Sequence, residues 1–316
     1  MFAGSVVIVT YNSAEQIGTC LAALRKESAW KRIVIDNASQ DESVAEARKA
    51  DPDVLVVSNR ENLGFAAAAN QGALLGAGSI ILFLNPDAIA QPAALDALTK
   101  ILDQHDVGAV GGVLVGMAGE IERGFSVRRF PTTLSMVAEI LLLNRVWPNN
   151  PVNRHYRCLD LDYSKPQQVD QPAGACLAVR REIWENIGGF DERFFPVWFE
   201  DVDLCQRISK QKWKIQYCPN ARFLHVGGHS VNQIAIGDRQ IFWYQNLLRY
   251  WRKHGNWISV AILRVAIAIG MALRAFAVLF GSGPEKARRG EAIRAYVHVI
   301  NECAVKGSDH ARSHGN

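Results

Sequence analysis

Five short apolar runs fall within the first 115 residues, each separated from the next by roughly one helix-length segment, and this spacing constrains the 316-residue chain most. The runs cover residues 5–9, 31–36, 54–58, 79–84 and 107–115 and are rich in Val and Ile. Apolar runs of this length, bounded by turn residues, read as strands buried on both faces. The Ala-rich segment 65–75 reads as a helix, and another follows Pro92. Ser13 with Gln16, and Ser39 with Glu42, carry the spacing of capping boxes, which predicts helices after the first two strands. Strands joined by single helices imply βαβ units with right-handed crossovers. The expected fold class is therefore α/β, a mostly parallel sheet flanked by helices. Ligands of such sheets bind beyond the carboxyl ends of the strands.

The loops at those ends are all polar: Thr10-Tyr11-Asn12, Asp36-Asn37-Ala38-Ser39, residues 59–64 with Asn62 and Gly64, and Asn85-Pro86-Asp87. Polar loops are ordinary here, because Asn, Asp and Ser cap helices and make turns. Four in succession, each with an Asp or Asn at the strand tip, point to a shared site. The first strand is not followed by GxGxxG, and the chain has no GxxxxGK[ST] and no GxSxG. Dinucleotide, P-loop and hydrolase-elbow sites are thereby excluded. A nucleotide site without a glycine-rich cradle needs another way to neutralise phosphate, and a carboxylate-held divalent cation is the natural one.

Further along, Glu200, Asp201 and Asp203 place three carboxylates within four residues, directly after Trp198 and Phe199. Such crowding raises at least one pKa and is costly unless a cation or a function requires it. A helix starting near residue 202 would account for some of these acids through its dipole. His225 follows the apolar stretch 221–224. The six cysteines are scattered with no CxxC pair, which favours reduced thiols in a cytoplasm over a zinc ribbon or disulfide framework. The first nine residues lack the basic and long apolar regions of a signal peptide.

The tail differs from the body. Residues 245–300 hold nine Lys or Arg against two Glu, a net +7, so the remainder carries −3 of the total +4. Twenty of the twenty-four residues from Trp257 to Phe280 are apolar, interrupted by Ser259, Arg264, Gly270 and Arg274. A span of this length could cross a bilayer, but each central Arg costs about 2.5–3.5 kcal/mol. Basic clusters flank both ends, which suits a helix lying in the interface beside anionic headgroups. The competing reading is a buried or homodimer-forming helix. Basic residues embedded in apolar sequence argue against nucleic acid as a partner.

The stretches VVIVTYNS (6–13), IDNAS (35–39), NRENLGF (59–65) and LNPD (84–87) resemble the inverting family 2 glycosyltransferases of GT-A fold, most closely the rhamnosyltransferase-like branch. GAC (174–176), GGFDE (188–192), WFEDVDLCQR (198–207) and HVGGH (225–229) extend the resemblance to about residues 3–230. It implies a Rossmann-like GT-A domain whose nucleotide-sugar half spans 1–115 and whose acceptor and catalytic half spans 116–232. Residues 233–316 then form a helical, basic and apolar extension for membrane association or oligomerisation.

The resemblance also implies roles. Thr10, Tyr11, Asn12, Asp36, Asn62, Gly64 and Asn85 would bind the donor, with Asp36 reading the base. Asp87 and His225 would hold a divalent metal, Mg²⁺ or Mn²⁺, and His229 has a weaker claim. Asn85 stands where the family's DxD motif carries its first Asp, so one charge is missing. Asp201 would be the general base, with Trp198 and Glu200 contacting the acceptor. The implied reaction moves a sugar from a dTDP- or UDP-linked donor, L-rhamnose from dTDP-rhamnose being the first choice. The acceptor would be a saccharide hydroxyl in cell-envelope glycan synthesis, polyprenyl-diphosphate-linked carriers included. The implied location is the inner face of the cytoplasmic membrane, reached through 245–300. Alternatives are a transferase using a UDP-hexose, and a non-catalytic sugar-nucleotide or glycan-binding protein on the same fold. A sugar-nucleotide pyrophosphorylase would need a Gly-rich, Arg-containing loop where this chain has Thr10-Tyr11-Asn12-Ser13.

Overall fold

The structure is a computed structural model describing residues 2–227, 236–280 and 289–306. His229, Lys286 and Arg288 lie outside the described residues. The chain divides into two compact units, one of Met1–Phe130, Arg157–Pro196 and Glu200–Asn232, the other of Pro131–Tyr156, Val197–Phe199 and Gln233–Asn316.

The first unit is built on one nine-stranded sheet. Its opening half runs β1 (Gly4–Thr10), α1 (Ala14–Leu24), β2 (Trp30–Asp36), α2 (Ser43–Ala50), β3 (Leu55–Ser58), α3 (Phe65–Leu74), β4 (Ile80–Leu84), β5 (Ala88–Ala90), α4 (Ala94–Leu102) and β6 (Val107–Val115). These strands occupy the five apolar runs expected, with β5 as an unforeseen addition. The sheet order is β3-β2-β1-β4-β10-β6-β11-β5, with β8 (Gln167–Gln168) against β11 (Lys214–His225). β10 (Cys176–Arg180) runs antiparallel between β4 and β6, so it interrupts the parallel series. Six strands share one direction, while β5, β8 and β10 oppose them. β1 and β4 are buried on both faces because helices cover both. Val6, Ile8 and Leu82 pack on α1 and α4, and Val7, Ile81 and Phe83 pack on α3 and the segment 183–208. A short ribbon of β7 (Val127–Arg128) and β9 (Gln171–Pro172) completes the strands.

Neither expected capping box forms. Ser13 makes no side-chain cap bond; instead the Ala14 N–H donates to Asp41 Oδ2 at 3.0 Å and the Ser13 N–H to Ser43 Oγ at 2.7 Å. The cap of α1 is thus an acid 27 residues downstream, a placement with no signature in local spacing. Ser39 is drawn away from α2, whose N-cap is Glu42, because its hydroxyl and N–H both donate to Asp36.

The second unit is helical: α5 (Thr133–Ile140), α6 (Leu143–Val146), α7 (Pro151–Tyr156), α10 (Ile236–His254), α11 (Trp257–Leu279) and α12 (Arg289–Val299), the last continuing as π-helix over Ile300–Lys306. α11 has 23 residues and a mean hydropathy of 2.1, enough by length and composition to cross a membrane. Only 33% of that apolar window is buried. Leu263, Ala266, Ile267 and Met271 face the unit, while Ile258, Ile262, Val265, Ile269, Leu273 and Phe276 are exposed at spacings of three and four. That period leaves one continuous apolar stripe on a helix. Both arginines of α11 point elsewhere. Arg264 donates to the Ala304 and Val305 carbonyls, and Arg274 to Ile140 O at 2.8 Å. They cap the ends of other helices, and the stripe carries no charge.

In the first unit, α8 (Arg181–Asn186) and α9 (Glu200–Lys210) follow β10. Asp203 of α9 is fully buried and pairs with Arg207 at 2.8 Å, while Arg207 also donates to the Ile187 and Gly189 carbonyls. The acid at 203 is therefore an anchor for α9. Removing it leaves a guanidinium short of its counter-charge, so Asp203→Ala should lower the unfolding free energy by about 3–5 kcal/mol. Urea denaturation of parent and variant measures this; a change below about 1 kcal/mol would contradict the anchoring role.

Candidate active site

Thr10 ends β1 and Asp36 ends β2, paired in register, so the two side chains meet at one sheet edge. Thr10 Oγ1 donates to Asp36 Oδ1 at 2.9 Å, and Ser39 donates to both carboxylate oxygens. Asp36 is 3% exposed and Thr10 is fully buried, so the Thr10 hydroxyl fixes the Asp36 carboxylate. Asn12 holds a left-handed backbone at φ 48°, and its Oδ1 accepts from the Gln40 N–H. Tyr11, half-buried, stands between them.

The 59–64 loop is organised by a residue that sequence reasoning passed over. Buried Asn37 donates to Asn62 Oδ1 at 3.0 Å and to Gly64 O at 3.1 Å, and accepts from the Asn59 side chain and the Leu63 N–H. Its identity was legible in the motif at 35–39; its role was not. Gly64 has φ +85°, and a Cβ there would meet the Phe195 ring at 2.8 Å. Glycine is thus required by conformation and close packing alone.

β5 pairs with the end of β11 in the register Ala88↔His225, which brings Asp87 beside His225 across 138 residues of chain. Val226 N–H donates to Asp87 O at 3.1 Å and closes the pair. His225 Nε2 lies 3.7 Å from Asp87 Oδ1, and that buried oxygen has no hydrogen-bond partner. On the other side of the ring, Nδ1 meets Glu122 Oε2 at 2.9 Å. β6 runs beside β11 and folds back through the Val115↔Ile121 bridge, which delivers Glu122 to this place. Phe125 stacks on the imidazole at 5.3 Å, and the Arg128 guanidinium lies over Phe125. Glu122 had no signal in the sequence. The unpartnered Oδ1 and a ring nitrogen facing it fit two ligands of a hard divalent cation, with Glu122 orienting the histidine. The described residues contain no cluster of three or more such ligands, so most of the coordination sphere would come from water or phosphate oxygens.

Asp201 reaches the same edge. The Asn85 N–H donates to Ala175 O, and the adjacent Gly174 N–H donates to Asp201 Oδ2 at 2.9 Å. A Cβ on Gly174 would crowd Asp201 at 3.1 Å, so glycine permits this approach. Glu200 is buried, with Oε2 unpartnered. Trp198 belongs to the other unit, in the segment Val197–Phe199.

One edge of the sheet thus carries Asp36, the Asp87–His225 pair and buried Asp201. The Glycosyl transferase family 2 profile matches residues 5–188, and a second profile, the N-terminal domain of galactosyltransferase, matches 154–230. The chain belongs to glycosyl transferase family 2 and is a glycosyltransferase. It is 30% identical over 279 residues to the N-acetylglucosaminyl-diphospho-decaprenol L-rhamnosyltransferase of Mycobacterium tuberculosis, covering 79% of this chain and 89% of that protein. Rhamnosyltransferase WbbL of Escherichia coli K12 is 28% identical over 149 residues, covering 47% of this chain and 53% of its own. Among solved structures, the mannosyltransferase PcManGT of Pyrobaculum calidifontis, in complex with GDP-Man and Mn²⁺, aligns with TM-score 0.57 and 19% identity. The alignment covers 96% of this chain and 87% of that one, a likeness of GT-A fold.

Burial lifts the Glu200 carboxyl well above its ordinary 4.5, and the charges of Asp201 and Asp203 add to the rise. Burial also raises Asp201 above 3.8, opposed by the N–H groups of Gly174 and Val202 and by Arg128. A raised carboxyl favours the protonated fold. Its contribution to stability is complete below the ordinary value and is lost as pH climbs through the raised one. Glu200→Gln removes that loss, so the melting temperature of the variant should gain on the parent as pH rises above the ordinary glutamate range. A melting-temperature difference that does not change with pH would contradict a raised Glu200 carboxyl.

Proposed function

We propose that the protein is an inverting transferase that moves a deoxyhexose, L-rhamnose from dTDP-rhamnose, onto a prenyl-diphosphate-linked saccharide in cell-envelope glycan synthesis. The observation that carries this reading is the Asp87–His225 pair with its unpartnered oxygen, set on the same sheet edge as Asp36 and Asp201. The names of the mycobacterial and E. coli relatives support the sugar and the acceptor class. A UDP-hexose donor is the second reading, since Asp36 offers the same acceptor oxygens to thymine and uracil. A purely binding protein would have no use for a general base, a role that Asp201, fixed by two N–H donors on this edge, is suited to fill.

Asp36, held by Thr10 and Ser39, presents a fixed carboxylate to the N3–H of the base. Asn62, Gly64 and Asn85 line the ribose and diphosphate side, with Asn37 fixing the loop. Mg²⁺ or Mn²⁺ held by Asp87 and His225 would supply charge neutralisation for the departing diphosphate. Asp201 takes the proton of the acceptor hydroxyl as that oxygen attacks the anomeric carbon opposite the leaving group. The two N–H groups on Asp201 fix its carboxylate, and its burial raises its basicity. Glu200, beside it, contacts the acceptor.

The apolar stripe of α11 supports seating at the inner membrane surface. Because Arg264 and Arg274 are used as helix caps, the stripe lies flat on the bilayer without carrying charge into it. The remaining basic residues of 245–300 add about 1 kcal/mol each where they approach anionic lipid.

Two measurements test this reading. Asp201→Asn should reduce kcat about 10²–10⁴-fold with donor affinity retained, followed by transfer assay and calorimetric titration of the nucleotide sugar. Lost donor affinity with unchanged kcat would make Asp201 a ligand instead of a base. In vesicle co-sedimentation, the parent should bind anionic vesicles more tightly than neutral ones, and Ile262→Ser with Val265→Ser should weaken both. A concentration-dependent dimer that binds neither vesicle would assign the stripe to a second copy.

A further inference from the structure

Within the helical unit, an open cavity of about 380 Å³ lies among α5, α10, α11 and the segment Val197–Phe199. Trp198, Trp243 and Tyr244 supply its aromatic wall, and Arg239 and Arg274 bring two guanidinium groups against one carboxylate, Glu139. Gln240 also lines it, and its Oε1 is buried with no hydrogen-bond partner. Arg274 spends Nη1 on the Ile140 and Gly270 carbonyls, while its Nε and Nη2 make no hydrogen bond among the described residues.

The segment that delivers Trp198 is held under strain. Trp198 has φ +80° and Phe199 φ +71°, a left-handed pair at two bulky residues. Such backbone is rare outside glycine, so surrounding contacts must enforce it. Here they do. Asn246 Nδ2 donates to Val197 O at 2.9 Å, and the Phe199 ring lies 5.7 Å from Trp243 and 5.8 Å from Tyr250. Trp198 is thereby fixed into the cavity wall, three residues ahead of Asp201 in the chain.

We propose that this cavity receives the sugar–diphosphate head of the prenyl-linked acceptor, an inference that rests on the acceptor class proposed above. Each part of such a molecule has a counterpart in the same unit. The guanidinium pair suits a diphosphate, which takes charge-assisted hydrogen bonds from Arg. The aromatic wall suits the face of a sugar ring, and Glu139 and Gln240 Oε1 suit its hydroxyl donors. The exposed apolar stripe of α11, the helix from whose other face Arg274 projects, suits the prenyl chain. An Arg in an otherwise apolar helix is costly unless it has a task. Capping α5 accounts for one nitrogen of Arg274, and the acceptor accounts for the others.

The probe is farnesyl diphosphate, titrated calorimetrically into the full-length protein, with inorganic pyrophosphate and farnesol as controls. Saturable binding of farnesyl diphosphate is expected, with pyrophosphate and farnesol each at least tenfold weaker. Arg239→Gln, Arg274→Gln and Trp243→Ala should each weaken it at least tenfold while the affinity for dTDP or UDP is unchanged. Should Arg274→Gln fail to fold because its cap is lost, Arg239→Gln and Trp243→Ala carry the test. Absent binding, binding equal in all variants, or pyrophosphate binding as tightly as farnesyl diphosphate would each overturn the proposal. Nucleotide binding separates the two readings: its loss in the parent would sink the transferase reading, whereas its retention with no farnesyl diphosphate binding would sink this one alone.

Discussion

The pairing of β5 with the last residues of β11 is the constraint on which the site depends. Three residues of antiparallel ladder, Ala88–Ala90 against Phe223–His225, fix the approach of Asp87 to His225. A slip of one residue would turn His225 to the opposite face, because side chains alternate along a strand. The long β11 is in turn held by β6, whose fold-back supplies Glu122 to the other side of the same imidazole. Asp87, His225 and Glu122 are separated by tens to over a hundred residues, so backbone ladders, not local sequence, set their geometry.

A second constraint is the antiparallel insertion of β10. It places Gly174 and Ala175 beside Asn85, and through Gly174 it ties Asp201 to the Asn85–Asp87 loop. Three acids open α9 at a cost in electrostatic repulsion, but they do not share one role. Asp203 is neutralised by Arg207 and anchors the helix; Glu200 is buried with one carboxyl oxygen unpartnered; Asp201 is fixed by two backbone donors. Division of labour among adjacent carboxylates follows from their different surroundings, as burial and hydrogen bonding act on each separately.

The first half of the fold was legible because strands buried on both faces are written as continuous apolar runs, and β1 to β4 and β6 stand where those runs stand. What the sequence did not disclose was pairing. β10 and β5 are short, and their antiparallel placement is decided by partners far away. The helix starts were misread for a related reason: Ser13 and Ser39 have the local spacing of caps, yet Asp41 accepts the Ala14 N–H at the start of α1 and Asp36 takes the donors of Ser39. At the site, Asp36, Asp87, Asp201 and His225 stood out through family motifs, while Asn37 and Glu122 did not. Asn37 works by satisfying loop backbone and amides, and Glu122 by meeting a ring 103 residues on; neither leaves a periodic trace. The left-handed backbone at Trp198 and Phe199 was equally hidden, since no glycine marks it.

The central claim is that Asp87 and His225 form the protein half of a divalent-metal site on the nucleotide-binding edge. Anomalous diffraction from crystals soaked with Mn²⁺ and a nucleoside diphosphate addresses it directly. The account predicts one strong peak within bonding distance of both Asp87 Oδ1 and His225 Nε2, with Glu122 still on Nδ1. A peak bound by the acids of α9 instead, or a nucleotide bound on that edge with no metal beside Asp87, would contradict it.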